Sequence, residues 1–238
     1  MVPQLTANNK EPARPFHSEE APRADVGGLS WGSVTRFFGV SPSPLRPVLF
    51  FLPIDAGVLA ICYAAGTSIR TFIVTLAAGF LAWSLAEYLL HRFLFHARPR
   101  RAWLRAILDR LHHHHHRYPY DLPSVALPLW FMIGFSMAAV LVLLVLIDSW
   151  SVALLLYTGF GVGYLCYEVT HYLTHRALLR EEVWPRWASP HLSHHFACAG
   201  AHFGVTTTIW DRIFRTYEKP DRKRAGRLPP VDSAPTFR

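Results

Sequence analysis

Four long apolar runs set the pattern of this chain. The first, at about 48–65, is interrupted only by Pro53 and Asp55, and the polar break Gly66-Thr67-Ser68 parts it from the second, at about 72–90. The third and fourth, at about 126–147 and about 152–169, are separated only by the few residues around Asp148, Ser149 and Trp150. Each is apolar over its whole circumference and long enough, as a helix, to cross hydrocarbon about 30 Å thick. The pattern predicts an all-α integral membrane protein with four transmembrane helices, the last two forming a hairpin. Between the second and third runs, residues 97–124 mix apolar positions with Arg98, Arg100, Arg101, Arg105, Arg110 and Arg117, which predicts an amphipathic helix over 102–116 outside the hydrocarbon. Residues 1–28 carry Pro, Ala and charge without an apolar period and read as a disordered lead, and no apolar segment follows Met1 to make a signal peptide. In 29–40, Trp31, Phe37 and Phe38 alternate with Ser, Gly and Arg36, which suits either an interfacial helix or a plain linker. The last twenty or so residues are basic, contain Pro and read as a flexible tail.

Composition agrees with the membrane reading. Half of the 238 residues are hydrophobic (51%) and only 17% are charged, which is too apolar for an ordinary soluble domain. The net charge of +8 is distributed as topology requires rather than as a nucleic-acid patch. Of 24 Lys and Arg, only Arg70 falls on the side opposite the N-terminus. The N-terminus, the 92–124 segment and everything after the fourth span are therefore expected in the cytoplasm, and no nucleic-acid partner is expected. Cys62, Cys166 and Cys198 are scattered and odd in number, so neither a disulfide framework nor a thiolate metal site is indicated.

The chemistry lies in the histidines. His91 and His96 read H-x4-H; His112, His115 and His116 read H-x-x-H-H; His171 and His175 read H-x3-H; His191, His194 and His195 repeat H-x-x-H-H. All four groups emerge on the predicted cytoplasmic face. On a helix, positions i, i+3 and i+4 share one stripe, so the three imidazoles of each H-x-x-H-H are expected to reach one spot. Imidazole ligates first-row metals, and ten such ligands exceed the need of one ion, so two metals with about five nitrogens each are expected. Within His112–His116 only one register gives the spacing; His113 and His114 then point about 100° and 200° away and are read as non-ligands. The run is embedded in the chain and is no terminal tag. The H-x4-H pair lies about 140° apart on a regular helix, and needs either different metals or a distortion at the helix end. His17 reads as a solvated residue of the lead, and His202 as a core residue or one near the site. Ser189-Pro190 reads as an N-cap with Pro at the first helical position, starting a helix that carries the last group and continues through 201–212. Glu87, Asp121, Glu168 and Asp211 lie near the four groups, where each can either accept the second N–H of a ligating imidazole or act in snorkelling and capping. Asp55 reads as a helix-packing or interfacial residue.

Taken in order, Glu87-Tyr88 with His91-Arg92 and His96, His112-x-x-His115-His116 followed by Arg117-Tyr118-Pro119-Tyr120-Asp121, Tyr167-Glu168 with His171-Tyr172 and His175, His191-x-x-His194-His195-Phe196, Phe203-Gly204-Val205 and Trp210-Asp211-Arg212 resemble the membrane fatty acid hydroxylase and sterol desaturase superfamily, above all its fatty acid 2-hydroxylase branch. The resemblance covers roughly 86–217. It implies four membrane helices under a cytosolic helical cap, a dinuclear metal site at the membrane face with the ten histidines at the ligand positions, and O2-dependent hydroxylation of a lipid acyl chain. With the composition, it divides the chain into a disordered lead at 1–45 that holds either the interfacial helix or a linker, a membrane hydroxylase domain at 46–217 and a basic flexible tail at 218–238. Two departures stand out. The family's Arg-containing, double-Pro stretch is only loosely present as Leu122-Pro123-Ser124-Val125-Ala126-Leu127-Pro128, next to the expected substrate opening. The lead has no His-Pro-Gly-Gly heme motif, so electrons are expected from a separate electron-transfer protein.

Breaking an unactivated C–H bond needs an oxidant that side chains do not supply. Two Fe ions are therefore the expected cofactors; zinc can occupy such sites in preparations but is redox inert. The expected substrate is a lipid acyl chain entering from the bilayer, oxidised near its carboxyl end. The rivals are a sterol desaturase or carotenoid hydroxylase of the same superfamily and, from another class, a metal transporter or sensor. Transporters place ionisable ligands at mid-membrane, where these spans carry no histidine.

Overall fold

The computed structural model describes residues 44–178 and 185–220. Among them, the chain forms α1 (Leu45–Ala64), α2 (Ile69–Leu89), α3 (Ala102–Leu108), α4 (His114–Arg117), α5 (Leu129–Leu146), α6 (Trp150–Leu178), α7 (Ser189–Phe196) and α8 (Ile209–Ile213), with a 3-10 turn at Leu122–Ser124. Two π-helical segments interrupt this series, Leu90–Phe95 at the end of α2 and Asp109–His113 between α3 and α4. Among the described residues, four stretches are long and apolar enough to cross a membrane, Leu45–Ala64, Ile69–Phe95, Leu122–Leu146 and Trp150–Leu178, and no strand is present, so the fold is all-helical and multi-pass as the hydropathy predicts. The lead, the interfacial helix at 29–40, His17 and the tail beyond 220 lie outside the described residues.

The turn between the first two spans follows from its sequence. Gly66 takes φ +78, a left-handed conformation that glycine reaches without steric cost, and the Ser68 Oγ then accepts from Thr71 N to start α2. Helices α2 and α6 form the spine of the bundle and cross at small residues. A Cβ on Gly79 would collide with the Leu156 carbonyl, and one on Gly159 with the Leu76 carbonyl, so the two backbones touch where neither carries a side chain. Beside this crossing, Trp83 packs edge-on against Phe160 and Tyr164, with ring centroids 5.0 and 5.3 Å apart. Asp55 is buried on α1 and faces Gly161 of α6, in keeping with a packing role. The lipid-facing side of α5 is apolar, with Val145 83% exposed.

Three local expectations are corrected. The helix expected over 102–116 is broken into α3, a π-helical segment and α4. The helix begun at Ser189 stops at Phe196; residues 197–208 are irregular because the N–H groups of Phe203 to Thr206 bind carboxylates instead of helical carbonyls. Ser189 is inside α7 rather than capping it, and its hydroxyl donates to the Arg186 carbonyl at 3.1 Å.

Candidate metal centre

Helix α6 runs past the apolar span to Leu178, which lifts His171 and His175 out of the bilayer core onto the level of α3, α4 and α7. At that level all ten expected histidines converge. They form two groups of five: His91, His96, His112, His116 and His194 (group A), and His115, His171, His175, His191 and His195 (group B). In each group the candidate ligand atoms lie within 4.8 Å of one another. The groups touch, since the rings of His116 and His195 stack with centroids 4.1 Å apart.

The expectation that each H-x-x-H-H serves one spot is corrected. His112 and His116 enter group A while His115 enters group B; His191 and His195 enter group B while His194 enters group A. The cause is helical geometry. In α7, positions i and i+4 differ by only about 40° around the axis, whereas i+3 lies about 60° to the other side of i, so a helix seated between two sites sends the pair to one and the middle histidine to the other; His112, His115 and His116 divide in the same way across the π-helical segment and α4. The two copies do this reciprocally.

The H-x4-H pair meets through the second of its two expected routes, a distortion at the helix end. The chain from Leu90 to Phe95 is π-helical, and the wider turn, with its i to i+5 bonding, brings His91 and His96 onto one side. The second π-helical segment adjoins the first and delivers His112. His113 and His114 stay outside both groups; His114 Nε2 lies 3.4 Å from the Asp121 carboxylate at the surface. His202, at φ 58, also lies outside, with its ring against Tyr217.

The polar surroundings fix which nitrogen faces inward. His91 Nδ1 donates to the Phe203 carbonyl at 2.5 Å, His194 Nδ1 to the Ala201 carbonyl at 2.6 Å, and His175 Nδ1 to the Pro119 carbonyl at 2.8 Å. With the proton on Nδ1, each Nε2 presents a lone pair to its group. Between rings, the Nε2 atoms approach to 2.9 Å (His194 and His96), 3.0 Å (His171 and His115) and 3.1 Å (His195 and His191). Two nitrogens bound to one metal at 2.0–2.1 Å, with bonds near a right angle, lie roughly 3 Å apart. The buried Nε2 atoms of His91 and His116 have no hydrogen-bond partner among the described residues. The donor set thus fits a metal in each group. Outside the spans, burial holds His112, His115, His116, His191, His194 and His195 well below the ordinary histidine range. His96 is brought down to about 4 by burial and by the charges of His113 and Arg98. Neutral imidazole is the form that ligates.

The four expected carboxylates act differently from the simplest expectation. Asp211 accepts from the N–H groups of Phe203 (2.8 Å) and Gly204 (2.9 Å), and Glu87 from those of Val205 (2.6 Å) and Thr206 (2.9 Å) and from the Thr206 hydroxyl. Together they hold the loop whose carbonyls orient His91 and His194, one step removed from the imidazoles. A Cβ at Gly204 would collide with the Thr207 carbonyl and crowd the Asp211 carboxylate, so the loop needs glycine there. Glu168 accepts from Leu127 N at 3.2 Å and fixes the segment entering α5, while Asp121 pairs with His114. Sequence spacing missed Thr216, which links the same assembly: its hydroxyl donates to Asp211 (2.8 Å) and lies 3.0 Å from Tyr88 Oη, which in turn accepts from Arg92 (2.7 Å).

On the membrane side of group A lies a slot of about 80 Å³, walled by Trp83, Leu94, Phe95, Phe131, Met132 and Phe135 and reaching His91. A separate cavity of about 560 Å³ reaches His96 and His116.

Against known sequences, the profile of the fatty acid hydroxylase family matches residues 76–216. A dihydroceramide fatty acyl 2-hydroxylase of Arabidopsis thaliana is 32% identical over 176 residues, covering 70% of each chain. The fatty acid 2-hydroxylase of Rattus norvegicus is 34% identical over 148 residues, 61% of this chain and 40% of that one. Among solved structures, full-length Scs7p with only its hydroxylase domain visible superposes with a TM-score of 0.69 at 25% identity, over 80% of this chain and 72% of that one.

Proposed function

Because the chain belongs to the fatty acid hydroxylase family, we propose that it is an O2-dependent membrane lipid hydroxylase that inserts oxygen into a C–H bond of an acyl chain, near the carboxyl end at the 2-position. The observation that carries this reading is the convergence of ten histidines into two touching groups of five at the inner end of an apolar slot. The ten are the proposed ligands of two iron ions, which supply the reductive activation of O2 that C–H cleavage requires. One oxygen atom enters the C–H bond and the other leaves as water, with two protons and two electrons consumed. Histidine and aromatic side chains do not provide those electrons, so a separate electron-transfer protein does. Residues 46–217 make up the hydroxylase unit.

The chain's own residues bind, orient and exclude water. The aromatic wall of Trp83, Phe131 and Phe135 receives the acyl chain from the bilayer and keeps water from its reacting end. The Phe203, Ala201 and Pro119 carbonyls hold protons on Nδ1 so that the ligating nitrogens stay fixed. By the distribution of Lys and Arg, the histidine groups and both termini lie on the cytoplasmic side. The test is expression in cells whose acyl chains carry no 2-hydroxyl group, with lipid mass spectrometry and metal counting on the purified protein. Acyl chains gaining one oxygen atom, with iron in the protein, are expected. Unchanged lipids together with metal flux across the membrane would overturn the reading in favour of a transporter.

A further inference from the structure

Group A borders two cavities of opposite character. The slot on its membrane side is almost wholly apolar and touches the group through His91. The larger cavity touches the same group through His96 and His116, and among the described residues its lining carries Arg105 and Arg117 with one acid, Asp109. That acid is engaged by Arg117, whose guanidinium donates to it at 2.5 Å. The Arg105 guanidinium is held in place by neutral acceptors, the carbonyls of Pro99 (3.2 Å) and Arg100 (2.8 Å), so it is positioned without being neutralised. The cavity therefore presents net positive charge beside the histidines.

The reaction fixes how a substrate must lie across these two spaces. A C–H bond at the 2-position is one bond from the carboxyl carbon, so with that bond at group A the tail and the head leave in different directions. The slot suits only the tail. We propose that the basic cavity binds an anionic head attached to the acyl chain, a carboxylate or a phosphate-bearing group, and so selects acidic acyl lipids over neutral ones. The inference rests on the hydroxylase reading and adds the substrate class. A guanidinium offers a carboxylate or phosphate paired, charge-assisted hydrogen bonds that a neutral amide or hydroxyl head does not return. At 560 Å³ the cavity has room for a head larger than a bare carboxylate.

The test uses the full metal-loaded chain in lipid nanodiscs. Hydroxylation is compared for a long-chain fatty acid, a phosphatidic acid and a ceramide bearing the same acyl chain. Binding is measured separately, by competition of the fatty acid and its alcohol analogue against a radiolabelled fatty acid. Anionic substrates are expected to be favoured by about tenfold or more, with Arg105→Gln abolishing the preference and Arg105→Lys retaining part of it. The fatty acid and phosphatidic acid arms distinguish the two sources of the anion. Equal binding and turnover of neutral and anionic lipids would overturn the inference and leave the hydroxylase reading standing. An Arg105→Gln variant that slows every lipid equally, with normal rates restored by a small chemical reductant, would also overturn it, by assigning the cavity to an acidic redox partner. Selective binding of the fatty acid with no hydroxylated product from any lipid would keep the anion site and reject the hydroxylase reading.

Discussion

Groups A and B are built from the same residue type in equal number and by the same two helical motifs, yet their settings differ. All five histidines of group B are buried, under the segment that runs from Pro119 to Leu127. Group A has one partly exposed member, His96, and is flanked by the apolar slot and the basic cavity. Two of its histidines are oriented by a loop clamped between carboxylates of α2 and α8, whereas in group B His175 is oriented by the carbonyl of Pro119. A metal site that does chemistry keeps an accessible position, and one that serves structure or charge is closed. On the proposed hydroxylase reading, this difference favours substrate contact at group A, with group B as its enclosed partner.

Neighbouring residues break this comparison most sharply. His194 and His195 are adjacent in sequence but serve different groups. His194→Ala is expected to empty group A while group B keeps its metal, and His195→Ala to do the reverse; metal analysis per chain checks both. In each case hydroxylation falls to background, a loss of about 10⁶-fold or more given the acceleration that enzymes supply. Loss of both metals in either variant would mean that the groups bind only as one unit.

A smaller effect is expected from the loop clamp. Asp211→Asn places an amide N–H₂ where a backbone N–H now points, and Glu87→Ala removes the acceptor of the Val205 and Thr206 N–H groups; each should loosen the Phe203 and Ala201 carbonyls that orient His91 and His194. Metal affinity at group A should fall about 10–100-fold, the usual cost of disturbing a ligand's supporting hydrogen bond, with group B unchanged. Isothermal titration of the metal-free protein measures the two sites separately. Equal weakening of both would show that the clamp supports the cap as a whole.

How much of this was legible in sequence depends on whether a feature is periodic. The four spans and the ten histidines were, because hydropathy and ligand spacing are local patterns. The division of His112 and His116 from His115 was not, since spacing defines a stripe but not which neighbouring helix faces each edge of it. The π-helical turn that joins His91 to His96 was open only as an alternative, because the wide turn depends on contacts with Phe203 and His112 that come from far along the chain. The roles of Glu87 and Asp211 were hidden for the same reason: their partners are the backbone of an irregular loop, which leaves no side-chain signature except Gly204.

Acidification should sharpen the contrast by a smaller amount. The buried histidines outside the spans are depressed below their ordinary value, so the unfolded chain takes up protons at about pH 6.5 that the folded chain refuses. Their contribution to stability is complete above that pH and is lost as pH falls towards the folded values, at about 1.4 kcal/mol per pH unit for each such histidine. His96, brought down to about 4 and partly exposed, is the member best placed to take up a proton while the protein is still folded. Group A should therefore release its metal at a higher pH than group B. Metal retention measured after equilibration across pH 7 to 4 tests the order, and simultaneous release would remove His96 as the weak point.

The smallest effect concerns the histidines that belong to neither group. His114 is in the middle of the five-histidine run, but its ring points to Asp121 at the surface, with both side chains 43% exposed. An exposed pair of this kind contributes about 0.5 kcal/mol or less. His114→Ala should therefore leave the metal content of both groups and the rate of hydroxylation unchanged, and shift thermal stability by no more than about that amount. The same substitution at His115, one residue along, should empty group B, because the helix turns about 100° between them. If His114→Ala lost a metal, the register of α4 would be wrong, and with it the assignment of His112 and His116 to group A.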